Sequence, residues 1–580
     1  MITIARQLWA ILTHEQRVRA GVLLALMLVG MLLEMFGVGL IVPALALISR
    51  ADFGAPGTTS GRVVSALGNP SRETLIVAGM WTLACVYLVK TVFLSYLTWK
   101  QVQFAYRAQE NVSYRLFLTY LRQPYSFHLR RNSAELIRNA VNEIHLFSHT
   151  FLTSGLMLVT EVMVLFGIIA MLLLIEPTGT LAVGAVLGVI GLGFHLLMKA
   201  RITRWGNQRQ VHEGRRIQHL QQGLGGVKQV LLTNREREFL GEYNRHNIGS
   251  ARVGERQQTL FQLPRLGLEL LAVIGLAALV TIMLKRGASA DALLPTIGLF
   301  AAAGFRLIPS VNRIMNSVQN VWYAAPVVHV LNEELALGAP PLTEEPPAQS
   351  FVRSLNLVDV SFAYPGAPAA ALQGISLEIP HGRTVGFIGG SGAGKSTLVD
   401  VLLGLLPPDS GRVEVDGVDI AAAPRAWQKN VGYVPQSIFL TDDSLRRNIA
   451  FGIPAENIDD AAVQRAVHSA QLDSFIAGLP QGLETMVGER GVRLSGGQLQ
   501  RIGIARALYH DPPVLVLDEA TSALDAATEQ GVMRSVRELH GFKTIIVIAH
   551  RLGTLAGCDW IYRLESGRLA EQGEAERMIG

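Results

Sequence analysis

Six long apolar stretches in the first 311 residues constrain the fold more than any other feature of the chain. A helix needs about 20 mostly apolar residues to cross a bilayer. Inside lipid, a spanning helix is favoured because it pairs all of its own backbone polar groups. We therefore predict six membrane-spanning helices. They cover approximately residues 21–48, 74–99, 151–175, 181–198, 263–284 and 292–311.

The connections between these stretches predict the orientation. Residues 49–73, 176–180 and 285–291 are short, whereas residues 100–150 and 199–262 are long, polar and rich in arginine. Arginine-rich connections stay in the cytoplasm, so both chain termini are expected there too. The long connections are compatible with helical hairpins that turn near residues 122–127 and 223–226. Such hairpins would either dock on the next domain or form surface loops.

Composition narrows the class of protein further. Charged residues make up only 17% of the chain, and the net charge of +5 does not indicate nucleic acid as a partner. The two cysteines, Cys85 and Cys558, do not form a disulfide framework or a metal cluster. Ile4, Leu8, Ile11 and Leu12 share one helical face, which predicts a short interfacial helix before the first span.

A change of pattern marks a second domain. We predict a membrane domain over residues 1–335 and a Pro-rich linker over 336–350. From residue 351 to residue 580, short β-rich runs alternate with helical patterns, which is typical of an α/β domain with a mostly parallel sheet. The expected fold class is a six-span α-helical membrane domain with long cytoplasmic hairpins, fused to this α/β domain.

A glycine-rich loop in the second domain predicts a phosphate site. It follows an apolar strand pattern and precedes a helical one, as a P-loop requires. Lys395 is placed to reach the β- and γ-phosphates of ATP, and Ser396 to coordinate Mg²⁺. The loop comprises Gly389, Gly390, Ser391, Gly392, Ala393, Gly394, Lys395, Ser396 and Thr397.

Two acids and a second glycine-rich turn complete this chemistry. Asp518 and Glu519 follow a buried-strand pattern, so Asp518 is a candidate Mg²⁺ ligand and Glu519 a candidate general base for the attacking water. Ser495, Gly496, Gly497 and Gln498 precede a helix and form a second candidate anion site. Two loops about a hundred residues apart can share one γ-phosphate only across an interface.

In order and spacing these motifs resemble the ATP-binding cassette exporters, in the form of a half-transporter, over essentially the whole chain. The matching segments are SFAYPG, the P-loop, YVPQS, LSGGQ, LVLDE, residues 522–525 and the histidine after TIIVIAH. The resemblance implies that Tyr364 stacks on adenine, Gln436 contacts Mg²⁺ and His550 contacts the γ-phosphate. It also implies that Ser495–Gln498 bind the ATP of a second copy. Because none of these motifs is degenerate, a homodimer is expected.

Ionisable residues inside spans are candidate substrate contacts. At about 1.5 Å per residue, Lys90 lies roughly 25 Å, Arg265 roughly 28 Å and Arg306 roughly 22 Å from the outer ends of their spans. These cations suit a phosphate or pyrophosphate headgroup. Alternatively, they pair with three carboxylates at a similar depth, or Lys90 extends to the interface. The carboxylates are Glu34, Glu161 and Glu269.

Spans one and six also resemble those of bacterial lipid-linked oligosaccharide flippases, which carry an external helix where residues 61–67 lie. This implies an ATP-driven flippase in a bacterial inner membrane, with an amphipathic lipid-linked substrate and membrane lipids as partners. A lipid A-like or multidrug exporter is the alternative within the class. The alternatives from other classes are a non-transporting cassette ATPase and a channel that uses the cassette as a gate.

Overall fold

The computed structural model describes residues 2–49, 70–175, 177–285, 290–338, 346–488, 491–520, 526–549 and 552–579. The chain divides into two units. The first comprises Met1–Gln123 and Arg130–Pro340, and the second comprises Pro124–Leu129 and Pro341–Gly580. The tip of the first predicted hairpin thus belongs to the second unit, although it is far from that unit in sequence.

The first unit is helical in its described residues, as expected for segments that satisfy their own backbone polar groups in lipid. Several helices are much longer than a bilayer is thick, because the apolar spans continue into the polar connections. The helices are α1 (Ile2–Ile11), α2 (His14–Ser49), α3 (Arg72–Arg122), α4 (Tyr125–Arg130), α5 (Ser133–Arg138), α6 (Ile144–Leu146), α7 (Thr153–Ile175), α8 (Pro177–Gly225), α9 (Val227–Thr233), α10 (Glu236–Lys285) and α11 (Ala290–Ala336).

Both predicted hairpin turns are confirmed. Helix α3 ends at Arg122, because Pro124 favours the extended conformation that Gln123 adopts (φ −65°, ψ 149°). Helix α8 ends at Gly225, and Asn234 caps α9 in the left-handed region (φ 53°). Between α5 and α7 the chain stays helical but includes two π-helical segments, Asn139–Glu143 and Phe147–Leu152.

Four helical segments among the described residues are long and apolar enough to cross a membrane, which agrees with predicted spans one, two, three and five. Predicted spans four and six, residues 181–198 and 292–311, lie within α8 and α11. The suggested external helix at residues 61–67 lies outside the described residues. The four segments are His14–Gly37, Glu73–Arg122, Ser133–Met171 and Glu236–Ala278.

The predicted N-terminal helix is present as α1. The end of its apolar face is buried, with Ile11 1% and Leu12 4% exposed. The Ile11 carbonyl accepts a hydrogen bond from Arg115 at 2.7 Å, and Gln7 Nε2 lies 3.1 Å from His329 Nδ1. Helix α1 is therefore hydrogen-bonded to both α3 and α11, in addition to the packing of its apolar face.

The second unit contains two sheets. An antiparallel sheet has the strand order β2-β1-β4-β5, and a second sheet has the order β10-β9-β3-β8-β7-β6. In the second sheet β10 pairs antiparallel with β9, and all the other neighbouring strands are parallel. The strands are β1 (Ser354–Phe362), β2 (Leu372–Pro380), β3 (Thr384–Ile388), β4 (Ser410–Val415), β5 (Val418–Asp419), β6 (Val431–Val434), β7 (Val514–Asp518), β8 (Thr544–Ile548), β9 (Trp560–Glu565) and β10 (Arg568–Glu574).

The central strands β3, β7 and β8 are apolar along almost their whole length, because helices and the other sheet cover both faces. Phe387 and Trp427 are the largest buried side chains of this core. The helices are α12 (Lys395–Leu402), α13 (Pro424–Gln428), α14 (Leu445–Ile449), α15 (Asp460–Ser469), α16 (Asp473–Ala477), α17 (Gly496–Leu508), α18 (Ala526–Glu538) and α19 (Ala575–Ile579).

Candidate functional site

The glycine-rich loop joins β3 to α12, as the sequence predicts. A side chain at Gly389 would place its Cβ 2.4 Å from the Leu564 carbonyl oxygen, and one at Gly394 would lie 2.6 Å from the Ala371 oxygen. Gly392 and Gly394 also have positive φ angles of 78° and 101°. Only glycine fits these requirements without strain. The loop therefore brings bare backbone to the N-terminus of α12, where an anion is favoured.

Lys395 lies inside this loop. Its side chain is buried, and Nζ donates to the carbonyls of Gly389 at 2.8 Å and Gly390 at 3.1 Å. Burial lowers the pKa of Lys395, while the carboxylates of Glu519 and Asp518 oppose that effect. The P-loop lysine and the two acids therefore act on one another, although they are more than 120 residues apart.

Asp518 ends strand β7, which is separated from β3 by β8 alone. Because the carboxyl ends of parallel strands meet at one edge, Asp518 lies at the edge where the P-loop begins. Burial raises the pKa of Asp518, and a hydrogen bond from the Tyr433 hydroxyl to Oδ2 at 3.2 Å lowers it. Sequence reasoning missed Tyr433, although it lies only three residues before Gln436.

Glu519 adopts a left-handed backbone conformation with φ 49°, which is uncommon for a residue with a side chain. Its amide donates to the Ile548 carbonyl at 3.0 Å, and its Oε2 accepts from Gln436 Nε2 at 2.7 Å. The structure thus joins the candidate general base to the glutamine expected to contact Mg²⁺. This bond crosses 83 residues of sequence.

Tyr364 and the second anion loop occupy other parts of the same unit. The Tyr364 hydroxyl lies 3.2 Å from Thr397 Oγ1, which places it beside the start of α12. Ser495 and Gln498 form a reciprocal capping box at the start of α17, with bonds of 3.3 and 2.8 Å. Ser495 and Gly496 are exposed, so this helix start is accessible in the single chain.

Some predicted positions cannot be placed. His550, residues 522–525 and the side chain of Arg306 lie outside the described residues. Among the described residues, no group of three or more His, Cys, Asp or Glu side chains is arranged to hold a metal ion. Ser396, Gln436 and Asp518 instead offer a hydroxyl, an amide and a carboxylate oxygen. Such a set fits Mg²⁺, which usually keeps water and phosphate ligands as well.

Two of the three predicted intramembrane cations are placed in ion pairs. Lys90 Nζ lies 3.1 Å from Glu34 Oε2, both side chains are 9% exposed, and Nζ lies 4.2 Å from the Tyr87 ring centroid. Arg265 pairs with Glu269 one helical turn away at 2.9 Å and is 63% exposed. Extension of Lys90 to the interface is therefore not what the structure shows.

Glu161 pairs with a residue that sequence reasoning did not propose. Arg313 donates to Glu161 Oε1 at 2.5 Å, and Asn320 donates to Ser154 at 2.9 Å. Both contacts join α11 to α7. The signal in the sequence is a polar face on α11 with a helical spacing, which includes Arg313 and Asn320.

Comparison with known proteins identifies the class. Residues 372–522 match the ABC transporter family and residues 23–280 match the ABC transporter transmembrane region. The chain therefore belongs to the ATP-binding cassette transporters, and it joins an ATPase domain that hydrolyses ATP to a membrane region that transports. The predicted fold class, cassette resemblance and ATPase activity are confirmed.

Individual relatives refine this picture. The chain is 33% identical over 473 residues to a protein of Saccharophagus degradans named ATP-dependent lipid A-core flippase, covering 81% of this chain and 79% of the relative. A Xenopus tropicalis protein named mitochondrial potassium channel ATP-binding subunit is 43% identical over 228 residues, or 39% and 33% of the two chains.

A solved structure supports the fold. The structure of a bacterial Atm1-family ABC exporter with ATP bound is similar over 97% of this chain and 96% of that one. The TM-score is 0.78 and the sequence identity 24%. The exporter fold predicted from the motifs is therefore shared along nearly the whole chain.

Proposed function

We propose that the chain is an ATP-driven flippase that moves a lipid-linked oligosaccharide with a pyrophosphate group from the inner to the outer leaflet. It acts as a homodimer in a bacterial inner membrane, with both termini and the ATPase domain in the cytoplasm. ATP hydrolysis coupled to transport follows from the family. The identity of the substrate and the homodimeric assembly are what this proposal adds to the family's activity.

The balance of charge near the spans carries the substrate proposal. The six predicted spans contain three cations, Lys90, Arg265 and Arg306, and three carboxylates. Each carboxylate pairs with a cation other than Arg306. Glu161 pairs with Arg313, which lies two residues beyond span six, so the carboxylates of the spans have cationic partners other than Arg306. A cation at this depth is costly unless an anion neutralises it, which supports a phosphate-bearing substrate as the partner of Arg306.

ATP would be held by the chain's own groups in the following way. The backbone amides of the P-loop and Lys395 bind its phosphates, and Tyr364 stacks on its base. Ser396, Gln436 and Asp518 would hold Mg²⁺, which when bound would supply positive charge to the phosphate oxygens. Glu519 accepts the proton of the attacking water. His550 contacts the γ-phosphate.

A second copy would complete each ATP site. The exposed helix start at Ser495 and Gly496 presents backbone amides of a 13-residue helix to an anion. As the resemblance to the cassette exporters implies, Ser495–Gln498 would bind the γ-phosphate that the P-loop of the partner copy holds. Each ATP is then bound between two ATPase domains, and its hydrolysis separates them.

Flipping assays in proteoliposomes test the substrate proposal. The full chain is compared with Arg306→Gln and with Lys285→Gln, a matched change at an exposed residue that ends α10. Lipid-linked oligosaccharides, lipid A and a cationic drug serve as substrates. We expect Arg306→Gln to reduce flipping of the pyrophosphate-bearing lipid about tenfold or more, as expected for one lost charged contact, and Lys285→Gln to change it little. Equal flipping by both variants refutes the anion site.

A lipid A-like substrate is the second candidate, because a relative named lipid A-core flippase is 33% identical over most of the chain. Lipid A also carries phosphate, so Arg306 would serve it too. The substrate panel separates the two candidates. Flipping of lipid A without flipping of any lipid-linked oligosaccharide replaces the first proposal with the second.

A further inference from the structure

The segment Pro124–Leu129 belongs to the ATPase unit although it connects two helices of the membrane unit. Tyr125 shows where it lies within that unit. Burial raises the pKa of Tyr125, and the charges of Asp400 and Tyr364 raise it further. Asp400 is on α12, directly after the P-loop, and Tyr364 is the expected adenine contact. The segment therefore lies beside the nucleotide end of the ATPase unit.

Both flanks of this segment are hydrogen-bonded to the chain around the C-terminal end of α11. On one side, Gln123 Nε2 donates to the Gly338 carbonyl at 2.9 Å. On the other side, Arg131 donates to Glu334 Oε1 at 3.2 Å. The two donors are eight residues apart; of the two acceptors, Glu334 lies in the last turn of α11 and Gly338 two residues beyond its end. The end of α11 and the residues directly after it thus hold the base of the loop at two points.

Of these two contacts, we expect the Arg131–Glu334 ion pair to be stronger than the Gln123–Gly338 hydrogen bond. Its side chain is 7% exposed, and burial raises its pKa while Arg131 and the Tyr120 hydroxyl lower it. A buried carboxylate that loses its partner is left with an uncompensated charge. Arg131 also approaches Glu135 at 3.5 Å, but that carboxylate is 40% exposed, and exposed pairs contribute little.

From these contacts we propose that Glu334 is a positioning residue for transport coupling, which makes α11 follow the movement of the segment Pro124–Leu129. When ATP moves the ATPase domains, this segment moves with them. Its own helices, α3 and α5, are displaced through the peptide chain. Helix α11 is displaced at the same time, because Arg131 is bonded to Glu334 in its last turn and Gln123 to Gly338 just beyond its end. Helix α11 also carries Arg306, so, on the proposed function, the anion site for the substrate moves with it.

Hydrogen exchange on the full chain in lipid nanodiscs tests this assignment. Exchange of backbone amides is compared without nucleotide and after trapping with ATP, Mg²⁺ and vanadate. The variants are Glu334→Gln, which keeps the shape of the side chain, and two matched controls. Glu135→Gln removes the exposed partner of the same arginine, and Glu333→Gln changes a 62% exposed neighbour of Glu334.

In the wild type and both controls, we expect trapping to change exchange at residues 120–130 and at residues 325–338. In Glu334→Gln, the change at 120–130 and the basal ATPase rate should persist. The change at 325–338 should fall by about two- to thirtyfold, the range expected when one network contact carries coupling. If Glu334 served only the stability of the fold, its replacement would change the exchange response of both regions alike. An unchanged response at 325–338, or an equal loss in Glu135→Gln, overturns the proposal.

A second variant keeps the test independent of folding. If Glu334→Gln does not yield folded protein, Gln123→Leu removes the other fastening without touching a charge. We expect this variant to weaken the response at 325–338 while the response at 120–130 persists. A full response at 325–338 in Gln123→Leu, in a chain where Glu334 cannot be replaced, overturns the proposal as well.

Discussion

Two neighbouring glycines of the P-loop provide a sharp test of the structure. A Cβ added at Gly389 would lie 2.4 Å from the Leu564 carbonyl oxygen, whereas at Gly390 it would meet nothing within 4 Å. The obstacle is the backbone of β9, which pairs with β3 through Ile388 and Arg563 and cannot move independently. Gly389→Ala should therefore destabilise the ATPase domain, and Gly390→Ala should not.

The magnitude follows from the overlap. Ordinary contacts of a Cβ begin near 3.4 Å, so the methyl group overlaps by about 1 Å and the strands must shift. Overpacking of this kind costs about 1–3 kcal/mol. For a domain of 150–250 residues, 1 kcal/mol lowers the unfolding temperature by about 2–4 °C. Gly389→Ala should therefore lower it by roughly 2–12 °C.

Cys558 offers a direct assay for this domain. Burial raises the pKa of its thiol to about 12, so little reactive thiolate forms while the domain is folded. In a Cys85→Ser background, Cys558 is the only thiol of the chain. The temperature at which a maleimide begins to label Cys558 then reports unfolding of the ATPase domain in the full chain. Equal labelling temperatures for Gly389→Ala and Gly390→Ala refute the reasoning.

Three further predictions concern single contacts. Tyr433→Phe removes the hydrogen bond to Asp518, so the Mg²⁺ concentration for half-maximal ATPase should rise about tenfold; an unchanged Mg²⁺ requirement contradicts this role. Glu519→Gln should abolish ATP hydrolysis while ATP binding, measured by nucleotide crosslinking, persists; net transport by this variant would favour a gate over a pump. Lys90→Met should lower thermal stability in detergent because it leaves the Glu34 charge buried, and adding Glu34→Gln should restore much of it; additive losses would show that the pair does not interact.

Local patterns were sufficient to predict the architecture and to single out most residues of the proposed ATP site. A span is recognised from about 20 consecutive apolar residues, and a P-loop from glycines between a strand and a helix, so both signals lie within one short segment. Proline and glycine also located the hairpin turns, because the backbone geometry at Gln123 and Gly225 depends on immediate neighbours.

Contacts between distant segments required the tertiary structure. The sequence placed Glu161 at the same depth as three cations, but depth along a span does not state which faces of two helices meet. The packing of α7 against α11 brings Arg313 to Glu161 across 152 residues. The pairing of Tyr433 with Asp518 depends in the same way on β6 lying beside β7.

What the sequence determined by itself is therefore a six-span exporter with a P-loop ATPase, because helix length and loop chemistry are local properties. What only the tertiary structure decided is which charges neutralise one another and how the first hairpin is held. The contact of Gln123 with Gly338 joins residues 215 positions apart. Such a contact depends on the packing of whole helices, and no spacing along the chain encodes it.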